Sequence, residues 1–421
     1  MKSVDIICPL CNDKVDRLLY RFHIESERYV LASIKKQNPH WAENDGICSR
    51  CVDYYHSEIV VHHRLLPEIG PHFPVKSPDD FIILPTPLRL DADPRYTGKG
   101  ITICFIDSGF YRHPDLEARQ NRIKIIVDIT DGERELGLSE NNEVNNSWHG
   151  TMTSVVCAGD GFLSNGLYKG IASDAELVLL KVQDEEGRIQ TDSIVRALEW
   201  VKKNHLKYKI RIVNLSLSAD EVESDKTVIM DQIARELSEA GVNLVAAVGN
   251  NEYGQVKSPA NSSHVLAVGG IDDHNDLDEH GIGLYHSSFG KTKLGLNKPE
   301  LTANAIWIAA PILPGTVEKE EAEVLHDLIN TDLDRFSERL PIESKRFGWQ
   351  ILDEELSDIS LMRVKMIDRI QQTKFFSSHY MHVDGTSFAA PIVSAVIAQL
   401  LEADPSLSSA QVRSVLFGTA K

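Results

Sequence analysis

A turn of small residues lies in the segment His382-Val383-Asp384-Gly385-Thr386-Ser387-Phe388-Ala389-Ala390-Pro391. It leads into an apolar run, residues 392–401, whose larger side chains recur with the 3.6-residue period of a helix face. Ser387 therefore falls in the first turn of a predicted buried helix, where free backbone N–H groups and the positive end of the helix dipole meet. That position can stabilise a developing oxyanion, but Thr386 or Ser387 can equally be an N-cap. Residues elsewhere in the chain that could act together with Ser387 must distinguish these two interpretations.

The composition is that of a globular protein with acidic character. The 421 residues are 42% hydrophobic and 25% charged, and the formal net charge is -18. This charge argues against nucleic acid as the main partner and against an anionic membrane surface. The N-terminus shows no apolar signal segment, and no stretch approaches the roughly 18 apolar residues of a membrane span. We therefore expect a cytoplasmic protein with neither a nucleic-acid nor a membrane partner.

Two Cys-x-x-Cys pairs lie near the N-terminus, Cys8/Cys11 and Cys48/Cys51. Two such knuckles can close a tetrahedral thiolate site for structural zinc, and disulfides are not expected in a reducing compartment. A redox dithiol and unligated thiols are the alternatives. Residues 1–66 are thus predicted to form a zinc-binding module. The four thiolates would leave no open position on the metal, which argues against a zinc hydrolase.

The rest of the chain divides into a linker and a large domain. Residues 67–98 are rich in proline and are predicted to be an extended, helix-free linker. From residue 99 to 421 short apolar strands alternate with helices, which predicts an α/β domain whose mainly parallel sheet carries helices on both faces. The predicted buried strands span residues 101–106, 177–182, 211–217, 242–248 and 265–269.

Polar residues stand at the ends of these strands or at helix starts. Asp107 follows the first strand, His149 precedes a helical run beginning at Met152, and Asn250 follows the fourth strand. Parallel sheets bind ligands beyond the carboxyl ends of their strands. Each of the three alone can be an ordinary turn or cap residue. With Ser387 the order Asp, His, Ser is complete, and all four residues arising by chance in these contexts is improbable.

These segments closely resemble the signature blocks of the subtilisin-like serine proteases, over residues 88–316 and 378–421. The order Asp, His, Ser is the order found in subtilisin. The resemblance implies a serine endopeptidase acting on protein or peptide substrates, with Asp107, His149 and Ser387 as its triad and Asn250 in its oxyanion hole. The matching blocks are Asp107-Ser108-Gly109 with His113-Pro114-Asp115-Leu116, then His149-Gly150-Thr151, Gly249-Asn250-Asn251 and Gly385-Thr386-Ser387.

The resemblance also implies a substrate pocket. Its walls would be Ser216-Leu217-Ser218 and the segment ending at Gly249. Lys257 would fall at the base of the pocket for the residue before the scissile bond. A lysine there would favour an acidic side chain, and a solvated loop lysine is the alternative.

The chain departs from the family pattern in three places. Residues 1–80 do not resemble the usual propeptide, and the shortened segment 160–166 leaves calcium binding open. About 60 residues, roughly 316–377, are inserted before the Ser387 turn, and their apolar periodicity predicts two amphipathic helices. This insertion or the N-terminal module would suit a regulatory protein partner. The competing functional hypothesis is a catalytically silent subtilase fold that serves as an interaction scaffold.

Overall fold

The structure is a computed structural model that describes most of the chain from residue 83 onward. It describes residues 83–420 apart from 131, 138–146, 220–223, 278–280, 294, 332, 350 and 352–358. Before residue 83 it describes 6–10, 12, 14–15, 34–35, 38–42, 45–48 and 51. The chain divides into an accessory unit, Met1–Ile83 with Pro311–Val383, and a core unit, Leu84–Ala310 with Asp384–Lys421.

The strands are numbered in chain order. Most are short, and the longest lie in the core unit. They are β1 (Ile6–Ile7), β2 (Lys14–Val15), β3 (Thr102–Asp107), β4 (Ile123–Asp128), β5 (Arg134–Glu135), β6 (Glu176–Lys181), β7 (Ile210–Leu215), β8 (Asn243–Ala247), β9 (Val265–Asp272), β10 (Gly283–Leu284), β11 (Gly290–Lys291), β12 (Asn297–Lys298), β13 (Leu301–Asn304), β14 (Ile308–Pro311) and β15 (Tyr380–Val383).

The helices are numbered in the same way, and a 3₁₀ turn spans Phe162–Ser164. The α-helices are α1 (Thr86–Arg89), α2 (Pro114–Glu117), α3 (Trp148–Ala158), α4 (Thr191–Tyr208), α5 (Asp225–Glu239), α6 (Val317–Asn330), α7 (Leu333–Phe347), α8 (Ile359–Thr373), α9 (Thr386–Ala403) and α10 (Ser409–Thr419).

A mainly parallel sheet forms the centre of the core unit. Within the described residues nine strands form it in the order β10-β9-β8-β7-β3-β6-β4-β5, and β13 also pairs with β9. Only β5 and β10 run antiparallel to their neighbours. The predicted parallel α/β architecture is therefore confirmed. The strand β4 was missed, because Lys124 interrupts its apolar run; the Lys124 ammonium donates to the Thr102 hydroxyl at 2.9 Å.

Burial on both faces of the sheet explains why its central strands are mainly apolar. All six residues of β3 are buried, as a parallel strand with helices on both sides requires. In α4 the fully buried positions are Ile194, Ala197, Leu198 and Val201, a spacing that places them on one helix face. This amphipathic pattern sets one side of α4 into the core unit and the other in water.

The helix α9 carries the segment that starts with Gly385. Among the described residues it is the one helix that is long and apolar enough to cross a membrane by length and composition. However, 72% of its 18 residues are buried inside the protein. It packs against α3 and against strands β7, β8, β9 and β13. Its apolar composition is therefore accounted for by burial in the core unit.

Part of the predicted linker has a definite structure. Residues 84–98 belong to the core unit, and α1 forms one helical turn within them. The expectation of a helix-free stretch is wrong here. Pro87 stands in the first turn of α1, where a backbone N–H has no helical acceptor, so a proline there costs no hydrogen bond. The part of the linker at 67–82 lies outside the described residues.

The accessory unit contains the insertion and the cysteine pairs. The strands β1 and β2 form an antiparallel hairpin, and β2 lies against α6. The described part of the insertion holds three helices, α6, α7 and α8, where the sequence predicted two. The first predicted helix is divided at Thr331, so that its apolar positions near residue 333 fall in α7. A buried Glu321 carboxylate in α6 accepts from Arg369 Nε of α8 at 2.7 Å and from Trp349 Nε1, just after α7, at 2.8 Å.

Candidate active site

Three neighbouring strands of the sheet end in the residues that the sequence singled out. Asp107 is the last residue of β3, Ser216 follows the end of β7, and Asn250 lies three residues beyond β8. The strands β3, β7 and β8 are adjacent and parallel, so their carboxyl ends meet at one edge. This edge is the place where an open parallel sheet binds ligands.

Asp107 and His149 form a buried hydrogen-bonded pair. The His149 Nδ1 lies 2.7 Å from the Asp107 Oδ1, and the exposed fractions of the two residues are 2% and 0%. Asp107 is held in turn by the Ser108 N–H, which donates to Oδ1 at 2.6 Å, and by the Thr153 hydroxyl, which donates to Oδ2 at 3.1 Å. The carboxylate is therefore oriented toward the imidazole by contacts on both oxygens.

Gly150 allows α3 to bring His149 to this position. A Cβ atom at Gly150 would lie 2.3 Å from the Gly109 carbonyl oxygen, well inside the distance that two such atoms tolerate. Only glycine fits where the helix passes this close to the turn after β3. The helix begins at Trp148 rather than near Met152, so His149 lies inside its first turn.

Asn250 is bonded to the residue next to Ser387. Its Oδ1 accepts hydrogen bonds from the Thr386 N–H at 2.8 Å and from the Thr386 hydroxyl at 2.9 Å. This orients the amide so that its nitrogen faces Gly385, where a Cβ would lie 3.4 Å from Nδ2. Gly385 has φ +136°, which is strained for other residues. The side-chain amide therefore presents N–H donors beside the first turn of α9.

The backbone carbonyl of Ser387 is bound by Ser216, because Pro391 leaves it without its usual helical partner. Proline has no N–H, so the carbonyl four residues earlier in a helix has no intrahelical partner; in α9 that carbonyl belongs to Ser387. The Ser216 hydroxyl donates to it at 2.7 Å. Asn214 completes the arrangement, since its Nδ2 donates to Ser216 Oγ at 3.0 Å and its Oδ1 accepts from Ser394 Oγ at 3.1 Å. A buried chain of hydrogen bonds thus fixes the start of α9 to the end of β7.

The aromatic surroundings of His149 are also defined. Its ring makes an edge contact with Trp148 at 5.2 Å between centroids and lies 5.9 Å from the ring of Phe388. Ser387 itself is 5% exposed. In β3 and α3, burial raises the pKa of the Cys104 and Cys157 thiols well above the usual range, which keeps these cysteines protonated and unreactive.

Some of the predicted pocket residues lie at the same edge of the sheet. Ser216 and Leu217 are buried, Ser218 is exposed, and Gly249 and Lys257 are half-buried. The Gly249 N–H donates to the Thr386 hydroxyl at 3.2 Å. Because the Ser216 hydroxyl proton is already bonded to the Ser387 carbonyl, a hydrogen bond that Ser216 donates to a substrate would have to come from its backbone N–H.

Sequence reasoning missed Thr153 and the roles of Asn214 and Ser394. Thr153 is four residues after His149 and so shares its helix face. A helix start assigned at Trp148 would have shown this. Asn214 is a polar residue within an otherwise apolar strand, and such a residue must find hydrogen-bond partners when it is buried.

Three cysteines of the N-terminal pairs lie together in the accessory unit. The Sγ atoms of Cys8, Cys48 and Cys51 all lie within 4.8 Å of one another, and the three residues are 0%, 1% and 7% exposed. The Cys8 and Cys51 sulfurs are 3.8 Å apart, far beyond the roughly 2.05 Å of a disulfide. Cys11, the fourth predicted ligand, lies outside the described residues.

Comparison with known proteins agrees with this geometry. A model of the subtilase family, a family of peptidases, matches residues 98–421, more than half of the chain. The chain belongs to the subtilase family. Among solved structures, this subtilase resembles Sphericase with a TM-score of 0.52 and 20% identity, over 80% of this chain and 90% of the other. It resembles the S41 Psychrophilic Protease with the same TM-score and 19% identity, over 76% and 83%.

Curated relatives match in sequence as well. The chain is 26% identical to Serine protease AprX of Bacillus subtilis (strain 168) over 330 residues, which are 76% of this chain and 61% of that protein. It is 29% identical to Subtilisin Savinase of Lederbergia lenta over 192 residues, 45% of this chain and 63% of the relative. This subtilase thus spans less than two thirds of the length of either relative.

Proposed function

We propose that this subtilase is a serine endopeptidase that cleaves protein or peptide substrates. The observation that carries the proposal is the buried Asp107–His149 pair, with its 2.7 Å hydrogen bond. It lies at the sheet edge to which Ser216 and Asn250 fasten the first turn of α9. Family membership supports the same activity.

In this proposal Ser387 is the nucleophile. Its hydroxyl oxygen attacks the carbonyl carbon of the scissile peptide bond while its proton passes to His149, since a free hydroxyl is a weak nucleophile until a base accepts that proton. Histidine is suited to the exchange because it gains and loses a proton near neutral pH. His149 then gives the proton to the leaving amine, and water repeats the sequence on the acyl-enzyme.

Asp107 and Asn250 are assigned supporting roles. The Asp107 carboxylate holds the proton of His149 on Nδ1, which leaves Nε2 to accept from Ser387, and it stabilises the imidazolium that forms. The Asn250 amide and the Ser387 backbone N–H are proposed as the oxyanion-hole donors. Loss of such a donor costs about 10²–10³ in kcat, a magnitude known from subtilisin itself.

Labelling with a fluorophosphonate tests the proposal directly. We expect the intact chain to form a covalent adduct at Ser387, because only a serine activated by a base attacks the phosphorus. Mass spectrometry of the digested protein locates the adduct, and prior denaturation should prevent it. A folded chain that stays unlabelled would favour the silent scaffold over the protease.

The substrate preference is proposed more narrowly. Lys257 is half-buried, and at the base of the pocket its ammonium would attract an acidic side chain before the scissile bond. This preference stays a prediction, which cleavage of a randomised peptide library would check.

We also propose that the accessory unit binds structural zinc. The three sulfurs fit the ion, because zinc–sulfur bonds of about 2.3 Å in a tetrahedron place the sulfurs about 3.8 Å apart, the separation found between Cys8 and Cys51. Buried thiols converging on one point are the soft donor set that zinc selects. Cys11 would supply the fourth thiolate, and zinc would then hold residues 8–51 together as a fold-stabilising link.

Metal analysis under reducing conditions checks this proposal. We expect one zinc ion per chain in the wild type and a large loss of zinc in the Cys48→Ser variant, because a site of three thiolates holds the ion less tightly. The matched control is Cys157→Ala, which removes a buried cysteine of the core unit and should keep the metal. Full zinc content in Cys48→Ser, or none in the wild type, would contradict the assignment.

The remaining assignments are proposals supported by composition and connectivity. A regulatory protein partner is proposed for the accessory unit. This unit contains both the N-terminal module and the insertion, and it ends at Val383, four residues before Ser387. A partner that is pulled down with the full chain should be lost when residues 317–373 are deleted. A cytoplasmic location is proposed because the paired N-terminal cysteines suit a metal site, which is the usual role of such pairs in a reducing compartment. The segment 160–166 leaves calcium binding open, and within it the Asp160 carboxylate accepts from the Phe162 N–H at 2.9 Å.

A further inference from the structure

Arg89, at the end of α1, makes a dense set of buried contacts in the core unit. Its side chain is 1% exposed and pairs with Asp273, which is 7% exposed. The Arg89 Nε donates to Asp273 Oδ2 at 2.7 Å, and Nη2 donates to Asp273 Oδ1. Asp273 is itself held by the Asn304 amide, which donates to Oδ2 at 2.6 Å. The guanidinium is therefore fixed in one orientation.

The same guanidinium also holds the turn that follows β13. Its Nη1 donates to the Trp307 carbonyl at 2.6 Å, and Nη2 donates to the Ile306 carbonyl at 2.9 Å. Trp307 has φ +59°, a left-handed conformation that a residue with a side chain keeps only when its surroundings enforce it. Arg89 supplies such enforcement by bonding to both carbonyls of the turn.

The turn in question contacts the two residues that precede Thr386. The Ala305 carbonyl accepts from the Gly385 N–H at 2.7 Å, and the Trp307 N–H donates to Asp384 Oδ1 at 3.3 Å. A shift of residues 305–307 would therefore move Asp384 and Gly385. Gly385 is the N-cap residue of α9, so the shift would pass to Ser387 two residues later.

We propose that Arg89 is a positioning residue for the nucleophile turn. It acts through residues 305–307 and sets the place of Ser387 without touching the reacting atoms. The inference rests on the proposed function, in which Ser387 attacks the substrate. Arg89 precedes residue 98, where the family match begins, so the residue that positions the turn lies in the first stretch of the core unit, outside the matched region.

The chemistry of arginine explains why another cation would not serve. A guanidinium is planar and can donate in two directions at once, whereas a lysine ammonium is a point charge on a flexible stem. Arg89 uses one side of its fork on a carboxylate and the other on two backbone carbonyls. Lysine would keep the charge opposite Asp273 but would release at least one carbonyl of the turn.

The test compares Arg89→Lys with Arg95→Lys. Arg95 also forms a forked pair with an aspartate, Asp93, but its side chain is 77% exposed, so it is a matched control. We expect kcat on a peptide ester to fall about 10- to 100-fold in Arg89→Lys with KM within about twofold, since a displacement near 1 Å costs about that much. Arg95→Lys should keep both constants. Assays are run well below the measured melting temperature of each variant.

A second variant keeps the test decisive if Arg89→Lys does not fold. Asp384→Ala breaks the same chain of contacts at its other end and is expected to lower kcat with little change in KM. In a double variant the two losses should combine to less than their product, because both act through residues 305–307.

Each outcome supports or overturns the inference. Unchanged kcat in a folded Arg89→Lys or in Asp384→Ala, or losses that multiply fully, would overturn it while the wild type still reacts with a fluorophosphonate. A lower melting temperature with unchanged kcat would show that Arg89 is only structural. A folded wild type that fails to react would overturn the proposed function and this inference together.

Discussion

Replacement of Ser387 by alanine is expected to abolish hydrolysis of a peptide ester while leaving the protein folded. The loss in kcat should be about 10⁶-fold, the magnitude found when subtilisin, a member of the same family, loses its serine. The structure explains why the fold should survive. The contact that anchors this residue runs from the Ser216 hydroxyl to the Ser387 carbonyl, and alanine keeps that carbonyl.

Steady-state kinetics with the ester and a thermal melt check this prediction together. Ser154→Ala is a suitable control, because Ser154 is also a buried helical serine. Within the described part of the chain its hydroxyl bonds only to the Thr151 carbonyl of its own helix. The control should keep its kcat. Hydrolysis by folded Ser387→Ala at the wild-type rate would remove Ser387 from the mechanism.

Truncation of Asp107 is expected to have the second largest effect. Asp107→Ala should lower kcat by about 10⁴-fold, again the order of magnitude known from the equivalent aspartate of subtilisin. Asp107→Asn should lower kcat less than Asp107→Ala does. The Ser108 N–H can only donate, so it keeps the asparagine oxygen at the Oδ1 position that faces His149. The amide nitrogen then faces the Thr153 hydroxyl, which can accept as well as donate.

The ratio of the two variants is the informative measurement. If asparagine keeps its oxygen toward His149, only the negative charge is lost and the imidazole stays in its working tautomer. Equal losses in Asp107→Asn and Asp107→Ala would show that the amide is flipped. Full activity in a folded Asp107→Ala would contradict its assigned role, and a melt of each variant separates lost chemistry from lost stability.

The parallel sheet could be predicted because its central strands are buried on both faces. Such strands occur in the sequence as short, largely apolar runs. The strands β3, β6, β7, β8 and β9 follow this rule, although Arg211 and Asn214 stand within β7. The residues at their carboxyl ends then followed from the geometry of parallel strands. Local patterns and a family resemblance were therefore enough to place Asp107 and Asn250 at the same edge of the sheet.

The parts that could not be predicted depend on contacts distant in sequence. The sequence prediction begins helix α3 too late. Gly150 is a poor helix former, and the sequence does not show how closely Gly150 packs against Gly109. Arg89 gave no signal at all, since a lone arginine beside two prolines has no periodicity, and its partners lie at residues 273, 306 and 307. Such contacts exist only once the chain has folded.

The split composition of the accessory unit has a consequence for the order of biosynthesis. Its first segment, Met1–Ile83, leaves the ribosome before residues 84–310 have been made, yet its second segment begins only at Pro311. Contacts between segments so far apart in sequence form late, because a long loop must close first. A zinc ion bound among residues 8–51 would need no later part of the chain. It would keep the newborn N-terminal segment compact until its partner helices emerge.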